Sequence, residues 1–176
     1  MFKKYNKVFN QTYLDSIKTS LYTSFSNGEL SNEVFKNGYG KINIPETLDL
    51  NSINNLNDIV SKDFGSNYQF THTFSRIYFN GAELTPHIDK NDLDLTCSLT
   101  VFCNLNKPWP IHLANNKLKN NSNLDDFPLS PYSSVNIEPN EIILFKSREY
   151  PHWREPLECN LDQHSIHVFY HWKLIE

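Results

Sequence analysis

His87 and Asp89 stand two residues apart in the stretch Thr85-Pro86-His87-Ile88-Asp89. On a strand, residues two apart leave the same face, so an imidazole nitrogen and a carboxylate oxygen can reach one metal ion. A third ligand has to come from a distant strand, and His152, in Tyr150-Pro151-His152-Trp153-Arg154, is the candidate. Two histidines and one carboxylate on one face of an octahedral ion leave three positions for other ligands, the arrangement that non-haem Fe(II) oxygenases use, so iron is the first choice. Zinc in the same triad would suit hydrolysis through a bound water, but no further Glu or Asp is placed beside the triad as a general base. The plain alternative is that His-x-Asp is an ordinary pair on a surface strand. The metal reading gains on it because a Tyr-bearing strand precedes the pair, the Asn80-Gly81 turn joins them, and His152 follows at a distance that several strands would span.

The elements that would hold these residues come in two groups. Tyr13, Ile17, Leu21 and Phe25 recur at four-residue steps and predict an amphipathic helix that Asn27-Gly28 ends. A second helix is predicted over Asn51 to Lys62, with Ile53, Leu56, Ile59 and Val60 on one side and Pro45 upstream. After Gly65 the period changes to two: Tyr68, Phe70, His72, Phe74, Arg76 and Tyr78 alternate with their neighbours as on a strand. Further strands are predicted at Thr85 to Asp89, Leu93 to Asn104, Trp109 to Leu113, Glu141 to Lys146 and Gln163 to Leu174. Asn115 to Ser134 is polar and reads as an irregular insertion, a place for a lid. Helices followed by many short strands predict an α+β, mainly β, domain whose core is a sandwich or jelly roll.

A chain of 176 residues allows one domain with a core large enough to stand alone. Residues 1–65 are expected to be mainly helical support and 66–176 the jelly-roll core, with 115–134 inserted. The net charge of −4 gives no basic field for phosphates, so no nucleic-acid partner is expected. No apolar run is long enough to span a bilayer and no secretory signal is visible, so no membrane association and a cytoplasmic location are expected. Cys97, Cys103 and Cys159 are odd in number, lack CxxC spacing, and read as reduced thiols. The sequence sets no oligomeric state.

The segments RIYFNGAELTPHID, DLTCSLTVFCN, WPIHL, IEPNEIILFKSREYPHWREPL and VFYHW follow one another between residues 68 and 172. In that order they resemble the prolyl-4-hydroxylase-like branch of the 2-oxoglutarate- and Fe(II)-dependent dioxygenases. The resemblance implies a double-stranded β-helix (jelly-roll) core with the N-terminal helices packed on one sheet. It also implies oxidative decarboxylation of 2-oxoglutarate by O2, with release of succinate and CO2, coupled to hydroxylation of a substrate. It carries the Fe(II) ligands onto His87, Asp89 and His152. Relatives that halogenate generally lack the carboxylate, so Asp89 favours oxygenation.

The co-substrate site departs from the family pattern. Family members supply Arg or Lys for the distal carboxylate of 2-oxoglutarate a short way after the distal histidine; here that stretch reads Asp162-Gln163-His164-Ser165. His164 would serve if protonated, but Arg76 is the stronger physical candidate, because a guanidinium fork holds a carboxylate bidentately and an imidazole cannot. Arg76 shares a strand face with Tyr78, which matches a family position that contacts 2-oxoglutarate. Thr100 and Ser165 are candidate hydroxyl donors, and Arg154, two residues from His152, is a candidate to face the same cavity and serve either 2-oxoglutarate or an acidic substrate. Lys90 is expected to pair with Asp92 or Asp94. His72 and His112 read as strand residues satisfied by neighbours, His167 and His171 as pocket lining or hydrogen-bonded core, and Trp109, Trp153 and Trp172 as core or pocket walls. His164 is also an alternative third ligand. A peptidyl or small-molecule substrate is equally consistent with this reading, with the 115–134 insertion as the place where the choice would lie. The competing class is a jelly-roll metal- or ligand-binding module that does not turn over, favoured by the missing cation after His152.

Overall fold

The alternation expected of Tyr68–Tyr78 governs the architecture. In the computed structural model, which describes residues 2–32, 37–118 and 124–175, strand β3 (Tyr68–Tyr78) buries Thr73, Ser75 and Ile77 on one face and Arg76 and Tyr78 on the other. A strand hidden on both faces lies between two layers. The described strands are β1 (Phe2–Asn6), β2 (Gly38–Ile42), β3, β4 (Leu84–His87), β5 (Leu95–Cys103), β6 (Ile111–Ala114), β7 (Tyr132–Val135), β8 (Glu141–Phe145), β9 (His152–Arg154) and β10 (Ser165–Leu174). They form a six-stranded sheet in the order β1-β8-β5-β10-β3-β2 and a four-stranded sheet in the order β4-β9-β6-β7, with antiparallel pairing throughout. From β3 to β10 the chain passes repeatedly from one sheet to the other, as in a jelly roll.

Helices α1 (Gln11–Ser26) and α2 (Leu50–Phe64) cover the outer face of the larger sheet. Asn10 caps α1 by accepting from Tyr13 N at 2.8 Å, and Asp49 caps α2 by accepting from Ser52 N at 2.8 Å, each satisfying a donor that a helix start leaves unpaired. Leu14, Ile17 and Leu21 of α1 and Leu56 and Val60 of α2 pack against Leu99 of β5, Leu144 of β8 and Ile166, Val168 and Trp172 of β10. Each fully buried side chain of this kind contributes about 1.5–3 kcal/mol. On β5 and β10 the opposite face carries Thr96, Ser98, Thr100, Ser165, His167 and His171, all buried and all polar. The larger apolar core therefore lies on the helix side, while Ile143 and Phe145 of β8 join Ile111, Leu113, Val135 and Ile137 in a second apolar cluster, apart from the polar inner face of β5 and β10.

The structure corrects three expectations. Residues 1–65 supply two edge strands as well as helices: β1 pairs with β8, and β2 with β3. Part of the expected insertion is strand β7, paired with β6; residues 119–123 of that insertion lie outside the described residues. Finally, β4 ends at His87, so Asp89 stands beyond the strand and is not placed by its alternation. The three cysteines are free thiols, and no helix of the described residues is long and apolar enough to cross a membrane.

Gly40 on β2 sits where the edge strand meets β3 closely. A Cβ there would lie 2.8 Å from two ring carbons of Phe74 and 2.9 Å from the Ser75 carbonyl oxygen. We expect Gly40→Ala to lower stability by about 1–3 kcal/mol through overpacking, read as a lower urea midpoint at unchanged slope. An unchanged midpoint would mean that β2 can move outward at no cost.

Candidate active site

His87 and His152 are cross-strand partners of β4 and β9, with ring centroids 4.2 Å apart. Asp89 joins them from beyond the end of β4, its backbone N–H donating to the Ser147 carbonyl at 3.1 Å. His87, Asp89 and His152 each offer one ligand atom, and the three atoms lie within 4.8 Å of one another. Asp89 Oδ1 is 3.8 Å from Nε2 of both histidines. Nδ1 of His87 lies 2.9 Å from the Thr85 carbonyl and Nδ1 of His152 lies 3.2 Å from the Tyr150 carbonyl. A carbonyl only accepts, so each Nδ1 carries the proton and each Nε2 lone pair is left facing Asp89. That is the tautomer and orientation that metal-ligating histidines take from their outer partners.

The protonation states suit the same role. Burial, reinforced by His87, pulls the His152 pKa down to about 4, and burial likewise brings His171 to about 4. Both are neutral imidazoles near pH 7. Burial pushes the Asp89 carboxyl up, but His152, His171, the Thr96 hydroxyl and His87 together outweigh it, and its net shift is downward. Asp89 is thus a carboxylate beside the neutral imidazole of His152, and two imidazoles with one carboxylate are a set suited to a divalent transition metal.

Along the inner face of β9, Arg154 follows His152 at the next same-side position. It is buried, with 2% of its surface exposed. One Nη donates to the Trp109 carbonyl, the guanidinium lies 4.7 Å from the Trp109 ring centre, and Nε and the other Nη have no hydrogen-bond partner among the described residues. Burial lowers its pKa to about 10, so it remains a cation. Around it stand the buried Tyr78 and His167 and the half-buried Trp109, whose rings contact one another at centroid distances of 5.0 to 6.1 Å. His167 lies 3.3 Å from Thr100 Oγ1 through Nδ1 and 2.8 Å from Ser165 Oγ through Nε2. A cavity of ≈ 250 Å³ reaches this end of the interior between Trp109, Cys103, Ser165 and His167; a larger one of ≈ 440 Å³ lies away from the triad, between the N-terminal ends of α1 and α2.

The structure thus brings together His87, Asp89 and His152 at one end, and Arg154, Tyr78, Thr100 and Ser165 at the other. Arg76 is buried on the inner face of β3, its guanidinium 4.4 Å from the Phe74 ring centre and 6.0 Å from that of Tyr78. His164 does not join either group. Its Nε2 lies 2.5 Å from the Tyr22 hydroxyl of α1, and its ring packs on Phe79 and Phe102, which places it on the helix side. Asp92 and Asp94 pair with Lys173 and Arg148 and not with Lys90. His112 bonds Ser134 and packs on Trp153, as expected of a satisfied strand residue. Thr96, Ser147 and His171, which surround Asp89, were not singled out by sequence reasoning for that role. The alternation of TCSLTVF, polar on one face and apolar on the other, was the available signal for Thr96.

Comparison with known proteins adds the fold. No protein-family model matches the chain, and no curated protein matches it. A prolyl-4-hydroxylase from Pseudomonas putida is similar over 99% of this chain and 93% of its own, with a TM-score of 0.72 and 12% identity. The fold is that of the prolyl-4-hydroxylases. HygX from Streptomyces hygroscopicus, with nickel and 2-oxoglutarate bound, has a TM-score of 0.71 at 12% identity over 98% of this chain and 82% of its own. A prolyl hydroxylase from Trichoplax adhaerens, in complex with a hypoxia-inducible-factor peptide fragment, has a TM-score of 0.62 at 18% identity over 97% and 83%.

The buried imidazoles fix an acid limit on stability. His152 and His171 fall to about 4, and burial holds His167 well below its ordinary value. An unfolded histidine has a pKa of about 6.5. Below that pH the unfolded chain binds protons that the folded one refuses, so stability is full above about pH 6.5 and falls as the pH drops toward the folded values, by up to about 1.4 kcal/mol per pH unit for each imidazole. The lowered Asp89 is lost only at the acid end of this window. We expect the melting temperature of chelator-treated protein to decline steadily from about pH 6.5 to pH 5; a constant melting temperature over that range would contradict the buried neutral state.

Proposed function

We propose that this chain is a single-domain Fe(II)- and 2-oxoglutarate-dependent dioxygenase on a double-stranded β-helix, which hydroxylates a C–H bond of a peptidyl or small-molecule substrate. The observation that carries the reading is the convergence of Asp89 Oδ1 with two histidine Nε2 atoms whose Nδ1 protons are committed to backbone carbonyls. The metal and 2-oxoglutarate bound in HygX support it. So does the range of neighbours, which extends from the peptide complex of the Trichoplax enzyme to HygX with hygromycin B bound.

When bound, Fe(II) and 2-oxoglutarate supply the oxidative chemistry with O2 that yields succinate, CO2 and the hydroxylated product. The chain's own residues bind and orient. His87, Asp89 and His152 hold the metal by one face. Arg154 takes the distal carboxylate of 2-oxoglutarate: its Nε and free Nη form a fork matched to two carboxylate oxygens, and burial among Trp109, Tyr78 and His167 strengthens a charge-assisted pair. Same-face residues two apart on a strand lie roughly 6.6 Å apart, the scale of a five-carbon diacid stretched from a metal at His152 to a cation at Arg154. Tyr78, Thr100 and Ser165 line the same chamber and Trp109 covers it, keeping water from the carboxylate pair. Arg154 therefore supplies the cation whose absence after His152 favoured a non-catalytic module.

The test uses anaerobically prepared protein given Fe(II) and 2-oxoglutarate and then O2, with succinate as the readout. Asp89→Ala should abolish succinate formation while leaving the melting transition in place. Arg154→Leu should raise the 2-oxoglutarate requirement about 10- to 100-fold, the equivalent of a lost charge-assisted hydrogen bond, with Arg154→Lys intermediate. Arg76→Leu should raise it less. Tight metal binding without 2-oxoglutarate binding or succinate would overturn the enzyme reading in favour of the module.

A further inference from the structure

Asp89 is held by more hydrogen bonding than its place beyond the end of β4 would provide. Thr96 Oγ1, on the inner face of β5, lies 2.7 Å from Asp89 Oδ2, 2.8 Å from Ser147 Oγ and 3.0 Å from His171 Nδ1. A hydroxyl has one proton and two lone pairs, and an ionised carboxylate only accepts, so the Thr96 proton goes to Asp89 Oδ2. The Thr96 oxygen must then receive its other bonds. His171 meets that need with a proton on Nδ1, and Ser147 Oγ–H is shared between Thr96 and the Leu93 carbonyl at 3.1 Å. Ser147 is tied to Asp89 a second time, because its carbonyl accepts from the Asp89 N–H. Thr96 thus engages Oδ2 directly, with Ser147 and His171 behind it, whereas Oδ1 is the oxygen 3.8 Å from the two histidine Nε2 atoms.

We propose that Thr96 is a positioning residue that makes Asp89 a one-oxygen ligand: its hydroxyl engages Oδ2, leaving Oδ1 as the only carboxylate oxygen presented to the metal, while Ser147 and His171 lock the Thr96 hydroxyl in place. The inference rests on the metal-centre reading and deepens it. A carboxylate free to rotate can coordinate through both oxygens and occupy a position that a chelating 2-oxoacid needs. A hydrogen bond to the second oxygen prevents this. Outer partners of this kind are worth about 10- to 100-fold in metal affinity.

The experiment titrates Co(II) into the apo-protein and follows its visible absorption for wild type, Thr96→Val, Thr96→Ser and His152→Ala, with the melting temperature of each. Thr96→Val keeps the shape and removes the hydroxyl. We expect it to weaken Co(II) binding about tenfold or more and to change the absorption spectrum, with Thr96→Ser restoring both. Thr96→Ala makes the same comparison if the valine variant does not fold. Unchanged affinity and spectrum in a folded Thr96→Val or Thr96→Ala protein, even with a lowered melting temperature, would overturn the inference and leave the metal centre standing. Equal, weak binding by wild type and His152→Ala would instead overturn the metal centre, and the inference with it.

Discussion

A carboxylate in the interior is tolerated only when its charge is answered, because an unpaired buried ion costs several kcal/mol. Asp89 has 14% of its side chain exposed and is surrounded by imidazoles that burial keeps neutral. What answers it within the chain is dipolar: the Thr96 hydroxyl on Oδ2, and His171 4.0 Å from the same oxygen. Its other oxygen faces two nitrogen lone pairs. Three lone-pair donors converging in a region of low dielectric repel one another, and a cation among them turns that repulsion into coordination. The geometry of β4, β9 and β5 is arranged around this one electrostatic demand.

The far end of the same chamber makes the opposite demand. Arg154 is a buried cation with two donors unpartnered among the described residues, and the aromatic face beside it, Trp109, offers only a quadrupole. The interior therefore carries a buried charge of opposite sign at each end, Asp89 beside His152 and Arg154 one strand repeat further along β9. Both charges detract from a net stability that for a domain is only about 5–15 kcal/mol. The alternation of β5 and β10 reconciles these requirements. Cys97, Leu99, Ile166, Val168, Tyr170 and Trp172 face the helices in a continuous apolar core, while Thr96, Thr100, Ser165, His167 and His171 face inward.

Much of this was legible in the sequence, because period-two patterns survive folding. The alternation of residues 68 to 78 defined β3, the four-residue steps from Tyr13 defined α1, and the His87, Asp89 and His152 set named the residues that converge. Other features depended on long-range contacts that no local pattern encodes. β1 reads FKKYN and β2 reads GYGKI; neither carries a clean alternation, and each becomes a strand by adding to the edge of an existing sheet. His164 sits in sequence where a co-substrate cation is expected, but Tyr22, from a helix far upstream in the chain, draws it to the other side of the sheet. Counting residues along the chain from His152 leads to Asp162, Gln163 and His164, whereas the buried guanidinium of Arg154 stands two residues from His152 on the same strand.

That short strand also shows how closely chemistry is tied to register. Because side chains alternate, moving β9 by one residue would turn His152 and Arg154 outward together and bring Trp153 in. Trp153 opposes this slip. Its ring packs on the outer face of the smaller sheet, 5.3 Å from His112 and 5.0 Å from Tyr132 between centroids, and its Nε1 donates to Glu155 Oε1 at 3.0 Å. An indole would bury this polar N–H without such a partner if it entered the chamber, and the guanidinium would leave it. The pairing of His112 with Trp153 and of Leu113 with His152 fixes the same alignment from β6. A residue on the outside of the smaller sheet therefore holds both the third metal-ligand candidate and the buried cation in place, and the two ends of the chamber are specified by one register and not by two.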